Sequence, residues 1–382
     1  AWTACWWGRA DTMAETDFAV VGGGLVGMAV AYGLQRRGHQ VTVFDEGDIA
    51  YRASRGNFGL VWVQGKGAGM PDYARWTRLS AALWPEFADE LKRKTGVDVE
   101  LTQPGGLDVC LTESELADQV ARLDGLRDAL DGNYPFEVLD PARLRGMVPE
   151  VGPTVSGATY FPEDGHANPL FLLRALLGAF RAEGGRIENG GAVRAIAPTQ
   201  GAFRIETDRP WEAAQVVLSA GLGNAKLGPM VGLNAPVRPN RGQVLICERV
   251  QPFLNYPTVQ IRQIATGSVQ IGDSKEDVGF DDTTAPRVVA AIAHRATRLF
   301  PLLENVRVVR AWGALRIMSP DGHPIYDRST EHPGAHLVTC HSGVTLAAAH
   351  ALVLAAWIGG GEPEIPYLET FSGKRFQLSS AA

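Results

Sequence analysis

Cysteine is scarce in this chain. Its 382 residues include four, Cys5, Cys110, Cys247 and Cys340, and no two stand at C-x-x-C spacing. That excludes a zinc or iron–sulfur cage built by this chain alone, so the expected metal set is empty, and the scatter suits a reducing compartment. A long hydrophobic run is also lacking. The longest, Val344–Ile358, spans about fifteen residues around His350, too short and too polar to cross a bilayer. Excess positive charge is absent as well: 36 Lys and Arg against 42 Asp and Glu leave a formal charge of -6, which gives no reason to expect nucleic acid or an anionic membrane as partner. The opening AWTACWWGRADT has no basic start, apolar run and small-residue cleavage site of the secretory kind. Residues 1–14 are expected to be an extension, with 1–12 lying ahead of a start near Met13; a partner-binding arm is the alternative. Together these absences point to a cytoplasmic protein, with peripheral contact at the inner membrane left open.

Glycine, by contrast, is plentiful at 44 residues, and its most informative cluster lies in Phe18–Asp45, FAVVGGGLVGMAVAYGLQRRGHQVTVFD. A short β-branched run breaks at Gly22, small and apolar residues then recur at helical spacing to Leu34, and a second strand runs from His39 to Phe44. Gly22 permits a tight turn, Gly24 lets backbone approach a pyrophosphate, and Gly27 lets helix and strand pack closely. The helix start at Leu25 and Val26 offers free amides and a favourable dipole to the phosphates. Asp45, followed by Glu46, ends the unit, and its carboxylate suits the hydroxyls of an adenosine ribose. A carboxylate there argues against the 2′-phosphate of NADP, but leaves NAD and FAD both open.

Beyond Asp45 a glycine-rich irregular stretch to about residue 70 has the character of a ligand-binding loop. A helix is predicted over Tyr73–Lys94, kinked at Pro85. A strand pair turning at Pro104-Gly105-Gly106 follows, then a helix opened by a Thr112/Glu115 capping box. Short helices and strands continue through residue 218. Strands alternate in antiparallel fashion from Val237 to Gly272, and a last helix is expected to begin at Gly343. The fold class is α/β (α+β): a Rossmann-like domain assembled from discontinuous segments 15–75, 150–222 and 313–376, with an antiparallel-sheet substrate domain from 76–149 and 223–312.

With these residues laid out, the chain resembles the D-amino-acid oxidase, glycine oxidase and sarcosine oxidase group of FAD enzymes over nearly all of 15–376. Within that group it is most similar to the B (β) subunits of bacterial octopine and nopaline oxidases, through ASRGNFGLVWVQGKG at 53–67, APVRPNRGQ at 235–243, IGDSKED at 271–277 and TCHSGVTLA at 339–347. The β subunit of D-hydroxyproline dehydrogenase and the third subunit of hydrogen cyanide synthase are similar too. The resemblance implies that Arg52, Ser54, Arg55, Gly56, Asn57 and Phe58 pass the pyrophosphate and reach the flavin. It implies further that Val193 contacts adenine, that Ser219, Ala220 and Gly221 form a second cofactor turn, and that Gly343, Val344, Thr345 and Leu346 face the flavin N1 side. A helix start at that point suits the anionic reduced ring.

Arg316 falls where this group places the arginine that pairs with the substrate carboxylate, and a guanidinium fork suits that task; a structural salt bridge is the bland reading. Monomeric sarcosine oxidases attach FAD through a cysteine at a position that here holds Ala314, so non-covalent FAD is expected. Gln260 and Arg262 share one face if the strand alternates, giving a second cation for a substrate with two carboxylates, or else an exposed edge. Lys66 could approach the flavin or stay solvated. His341 could orient substrate or cap a turn, and His166 reads as a turn histidine. Tryptophans 62, 76, 84 and 312 read as core, with Trp62 also a candidate wall of the site.

The expected activity is that of an FAD amine dehydrogenase. It oxidises the C–N bond of an opine of octopine or nopaline type to an imine, which hydrolyses to a 2-oxo acid and arginine. The resemblance implies a hetero-oligomer with an alpha subunit and a small iron–sulfur subunit, so that any FMN or 2Fe-2S cluster comes through partner subunits. A D-hydroxyproline or D-amino-acid dehydrogenase β subunit, a self-sufficient sarcosine- or glycine-type oxidase, and a non-catalytic flavin-binding subunit are the alternatives.

Overall fold

Alternation along the first strand decides the layering. Phe18 and Val20 face one buried cluster while Ala19 and Val21 face another, so this strand is covered on both sides. The computed structural model describes residues 15–47, 53–361 and 365–376. In it, strand Glu15–Val21 lies inside an eight-stranded sheet, parallel to Val41–Asp45 on one side and to Pro210–Leu218 on the other. Arg186–Asn189 extends the sheet beyond Val41–Asp45, and Ala335–Thr339 with Ile325–Arg328 extends it beyond Pro210–Leu218. Segments far apart in sequence therefore meet in one sheet, as the reading of a discontinuous nucleotide unit expects.

Glycine acts by absence of a side chain at two points here. Gly22 sits at φ +111, and a Cβ on it would lie 2.5 Å from the Ser219 carbonyl oxygen. A Cβ on Gly27 would fall 1.9 Å from the Gly22 oxygen and 2.5 Å from Ser219 Oγ. The turn, the helix Leu25–Gln35 and the strand ending at Leu218 can close on one another only because both positions are bare.

A four-stranded antiparallel sheet, in the order Ile261–Gln263, Ser268–Ile271, Arg238–Arg249, Val308–Met318, stands apart from the parallel one. A three-stranded sheet of Gly106–Cys110, Gly157–Phe161 and Glu137–Leu139 adjoins it through a bridge between Leu107 and Thr258, and the two share one hydrophobic core. Strand Val308–Met318 is continuous across residue 313 and pairs along its length with Arg238–Arg249, so a boundary at 313 runs through this sheet rather than beside it.

Several local expectations need correction. The segment 101–111 is not a hairpin. Thr102 bridges His166, whereas Gly106–Cys110 pairs with Gly157–Phe161, because Gly105 at φ +94 turns the chain out of the first pairing. Among the short strands read before residue 218, residues 186–196 hold two, Arg186–Asn189 and the start of Ala195–Pro198, which belong to different edges. The last helix begins at Ala347, not Gly343, and passes through a π-helical turn over His350–Leu354 before ending at Ile358. The Thr112 cap forms as read, Glu115 N donating to Thr112 Oγ1 at 3.1 Å, while the Glu115 side chain reaches back one residue further than a capping box does and accepts Leu111 N at 2.9 Å.

Helix Pro71–Thr95 runs without a break through Pro85 and ties the last helix to the parallel sheet. Trp76 Nε1 donates to Tyr326 Oη at 3.0 Å, and that hydroxyl lies 2.8 Å from His350 Nε2. All three groups are buried. Burial holds the His350 ring down to about 3, so it is neutral and accepts the tyrosine hydrogen. Tyr326→Phe leaves a donor and an acceptor unsatisfied in the core, and should cost about 2 kcal/mol in denaturant unfolding. Pairing it with Trp76→Phe should recover part of that loss, and strictly additive losses would contradict the linkage.

Candidate active site

A cleft of about 330 Å³ opens where the dinucleotide turn meets the end of strand Pro210–Leu218. Gly22, Gly24, Val26, Asp45, Glu46, Ser54, Arg55, Val193, Ser219, Ala220 and Gly221 line it, so eleven residues read from sequence as cofactor contacts come together. Asp45 is braced by main chain, its Oδ2 accepting Gly23 N at 2.8 Å and its Oδ1 accepting Gly47 N at 3.1 Å. Ser54 Oγ accepts the amide of Leu25 at 2.9 Å, in the first turn of the helix, where amides lack an intrahelical acceptor. A Cβ on Gly24 would meet that hydroxyl at 2.9 Å, so any larger residue would have to push Ser54 off the Leu25 amide. Bare backbone, helix amides and a terminal carboxylate fit an adenine dinucleotide.

The cleft continues past Ala53 and Ile317, which line both spaces, into a cavity of about 590 Å³. Gly56, Asn57, Phe58, Val344 and Thr345 form part of its wall, again as read from sequence. The turn 343–346 is held rigidly: the Thr345 carbonyl accepts Ser80 Oγ at 2.7 Å and Trp84 Nε1 at 3.1 Å, while its hydroxyl accepts Trp62 N at 3.1 Å. Ala314 also lines the cavity, and a Cβ on Gly56 would lie 2.4 Å from the Ala314 methyl, so the chain is already crowded where sarcosine oxidases place their cysteine. Cys340 lines the cofactor cleft instead, and burial pushes its thiol up to about 12. On the far side, the carboxylate of Asp164 anchors the loop by accepting Val63 N at 2.5 Å and Gln64 N at 3.1 Å; burial raises it to about 7.

Arg316, Lys66 and His341 all line this cavity. Arg316 Nη1 donates to the Ser274 carbonyl at 2.8 Å and to Asn240 Oδ1 at 3.2 Å, and Nη2 pairs with Asp273. Burial lowers its guanidinium to about 10, which leaves it a cation at neutral pH. Lys66 is not a solvated lysine: its ammonium donates to Ser342 Oγ at 2.5 Å and lies 5.9 Å over the Tyr73 ring. Tyr73 Oη reaches the same Oγ at 2.8 Å, and His341 Nε2 lies 3.3 Å from it. A hydroxyl with two lone pairs and one hydrogen satisfies all three by accepting from Lys66 and Tyr73 and donating to His341. That needs a neutral imidazole. Burial, with the Lys66 and Arg316 charges, does hold His341 well below the usual histidine range.

Other expectations fail. Gln260 and Arg262 do not share the wall of this cavity, because the strand begins only at Ile261 and Gln260 lies in a turn where its amide donates to Thr258 Oγ1 at 3.2 Å. Arg262 is buried behind Phe58, its guanidinium carbon 5.7 Å from that ring, and lines a separate space of about 250 Å³ with Glu100, Thr102 and His166. Its partners are the Gln270 amide oxygen at 2.5 Å, His166 Nδ1 at 3.1 Å and the Ala167 carbonyl at 3.0 Å. His166 is thus a partner of Arg262 in the second space rather than a simple turn residue. Leu25, Gly27 and Leu346 are buried, so only their backbone is available to a cofactor, and Gly343 lies against Val26 and Leu25. Arg52 lies outside the described residues.

Sequence reasoning missed Tyr73, Asp108, Arg122, Asn240, Asp273, Lys275, Ser342 and His323, all of which line the cavity. Asp273 and Lys275 stand in IGDSKED and Asn240 in APVRPNRGQ, stretches whose polarity amid apolar strands was the available signal. Among the described residues, no group of three or more His, Cys, Asp or Glu could hold a metal ion, and no helix is long and apolar enough to cross a membrane.

Comparison with known proteins agrees with this geometry. A family model described as FAD dependent oxidoreductase matches residues 17–357. The chain is 42% identical over 371 residues to the opine oxidase B subunit of Agrobacterium tumefaciens (strain Ach5), covering 97% of this chain and 100% of that one. The same protein of Rhizobium meliloti is 41% identical over the same shares. The crystal structure of glycine oxidase from Geobacillus kaustophilus superposes with a TM-score of 0.87 at 26% identity, over 94% of this chain and 98% of that one.

Burial draws the Lys66 ammonium down to about 8 from an ordinary 10.5. Between those pH values the unfolded chain holds a proton that the folded chain releases, so stability contributed at Lys66 rises with pH through that window and is least favourable below it. Lys66→Met should therefore be more stable than the parent at pH 7, by roughly 1–2 kcal/mol after allowance for partial exposure. That advantage should vanish by about pH 10.5 in denaturant melts, and a pH-independent difference would remove the assignment.

Proposed function

The chain belongs to the FAD dependent oxidoreductase family, with FAD as its cofactor, and from that premise we propose that it is the catalytic subunit of an opine dehydrogenase. The observation that carries this reading is the charge of the large cavity. Arg316, Lys66, Lys275 and Arg122 line it against Asp108, Asp273 and Asp321, and Asp321 is already held by Arg375 at 2.8 Å. Such a surplus of cations favours a substrate with two carboxylates, which an opine has and glycine lacks. Identity of 41–42% to the B subunits of opine oxidases over 97% of this chain supports the same substrate class.

In this reading the substrate carboxylate displaces Asp273 from Arg316, whose planar fork then fixes the Cα–H direction through two parallel bonds. When bound, FAD supplies the two-electron acceptor for the hydride leaving that carbon. Lys66 Nζ, in the neutral form that burial brings within reach near pH 8, takes the proton of the substrate's secondary ammonium and becomes a cation itself, and Ser342 Oγ holds it in place. Water adds to the resulting imine, and its collapse gives a 2-oxo acid and an amino acid: arginine with pyruvate from octopine, or with 2-oxoglutarate from nopaline. Ala314 in place of a cysteine favours FAD held without a covalent bond. Electrons then pass to partner subunits, an alpha subunit and a small iron–sulfur subunit in the cytoplasm, which supply any FMN or 2Fe-2S cluster.

Superposition on glycine oxidase favours a second reading, a self-sufficient oxidase. Rapid peroxide formation by the isolated chain would support it over the heteromer. The main reading is tested by anaerobic mixing of the FAD-loaded protein with opines, D-proline derivatives, sarcosine and glycine. Opines should bleach the flavin, and flavin left oxidised by every opine sinks the proposal. Arg316→Ala should retain FAD but lose roughly 10²–10³-fold in the second-order rate of reduction, about 3–4 kcal/mol of lost charge pairing, with Arg316→Lys between the two.

A further inference from the structure

Strand Gly106–Cys110 reads GLDVC, and its pleat sends Leu107 and Val109 into the core shared by the two small sheets. The residue between them, Asp108, must point the other way, and it lines the large cavity. Its side chain is 16% exposed, so the carboxylate has given up most of its water. What replaces that water is weak. Its ion-pair partner Arg122 stands 3.9 Å away on a side chain that is itself 46% exposed and donates to Gln119 Oε1. The Gln260 amide adds one hydrogen bond.

The other two carboxylates of the cavity wall are better matched. Asp273 pairs with Arg316, and Asp321 holds both Nε and Nη2 of Arg375, at 2.8 and 3.2 Å. Burial accordingly raises the Asp108 carboxyl above the usual range, with Arg122 opposing, whereas Asp321 is held below it. Among the described residues lining the cavity, Asp108 is thus the acid with room for a further cation. It stands on a different sheet from Arg316, and the two sheets meet at the Leu107–Thr258 bridge.

We propose that Asp108 is the seat for the cationic side chain of the substrate and makes the enzyme selective for opines built on a basic amino acid, a guanidinium above all. This rests on the opine reading, which already names arginine-derived substrates, and assigns the residue that recognises their cationic end. Arg316 and the lysines take the carboxylates, while Asp108 takes the positive end. A guanidinium offers parallel N–H donors that match a carboxylate, and it gives Asp108 a closer partner than Arg122 at 3.9 Å. An opine with an uncharged side chain leaves that acid unmatched, and discrimination by an unpaired buried group is large.

The test sets an N-(carboxyalkyl)arginine against the corresponding N-(carboxyalkyl)alanine, using FAD-loaded parent and Asp108→Asn in anaerobic stopped flow. Asp108→Asn should weaken binding of the arginine-derived opine roughly 30–100-fold while leaving its limiting reduction rate within about threefold, and should leave the alanine-derived opine almost unaffected. Arginine should perturb the oxidised flavin spectrum of the parent, and do so only at much higher concentration in the variant. Asp108→Glu should retain most of the preference. FAD content and thermal midpoint unchanged in Asp108→Asn exclude a folding defect. Equal losses on both opines, or no loss on either, overturn the assignment of Asp108 while leaving the opine reading intact. Parent flavin that neither opine reduces overturns both.

Discussion

A charge removed from water has to be matched, and the way this protein matches its buried charges separates structure from site. Arg262 is closed off by neutral acceptors, an amide oxygen, an imidazole nitrogen and a backbone carbonyl, and burial pulls it down to about 9. The Asp164 carboxylate is closed off by loop amides. Neither has reason to exchange partners. Around the large cavity the matches are of another kind: Arg316 keeps Nη1 on the Ser274 carbonyl and Asn240 but Nη2 on an exchangeable carboxylate, Asp273, Lys66 rests on one hydroxyl, and Asp108 on a cation 3.9 Å away. A ligand with carboxylates and a cation can improve on each of these pairings, and that difference in matching is what gives the cavity a preference for charged substrates.

Those charges can be held in position because the surrounding scaffold is stiff. Gly22 and Gly27 allow the dinucleotide turn to close on Ser219, and Gly33 lets the last helix approach so nearly that a Cβ there would fall 2.2 Å from the Ala351 oxygen. The last helix in turn fixes the turn at 342–346 through Ser80, whose hydroxyl donates to the Thr345 carbonyl and accepts the Ala349 amide at 3.1 Å. Ser342, on which Lys66, Tyr73 and His341 converge, is therefore placed by packing that begins at the first helix. Close backbone approach at one end of the molecule sets the position of a proton-carrying amine at the other end of the cleft.

How much of this could be read in the sequence follows from the range of the interactions involved. The strand, turn, helix and strand of the dinucleotide unit and the cap at Thr112 depend on residues within a few turns of one another, and the structure shows both. Placement of Arg316 in the cavity was legible only through likeness to a family, and Lys66 and His341 were left open between site and surface or turn, since three different segments bring them there. The partners of these residues were not legible at all. Asp273 meets Arg316 across a sheet, and Ser342 meets Lys66 over a sequence distance of 276 residues, so no local pattern marks either contact.

The failure at Gln260 and Arg262 is the most instructive, because the rule behind it was sound and its domain was misjudged. Period-two alternation holds inside a strand, but Thr258 accepts the amides of Gln260 and Ile261 and donates to the Ile261 carbonyl, which makes 258–261 a turn. Threonine at the start of an apolar, alternating run was the clue, and its own hydroxyl was the competitor to the ladder. The same test applied to GLDVC gives the opposite answer. No residue in 106–110 offers its neighbours a side-chain cap that would take the backbone out of the sheet, and all five pair with Gly157–Phe161 in unbroken register. Alternation is therefore trustworthy there, and it is the reason an acid set between two core residues must face the cavity rather than the core.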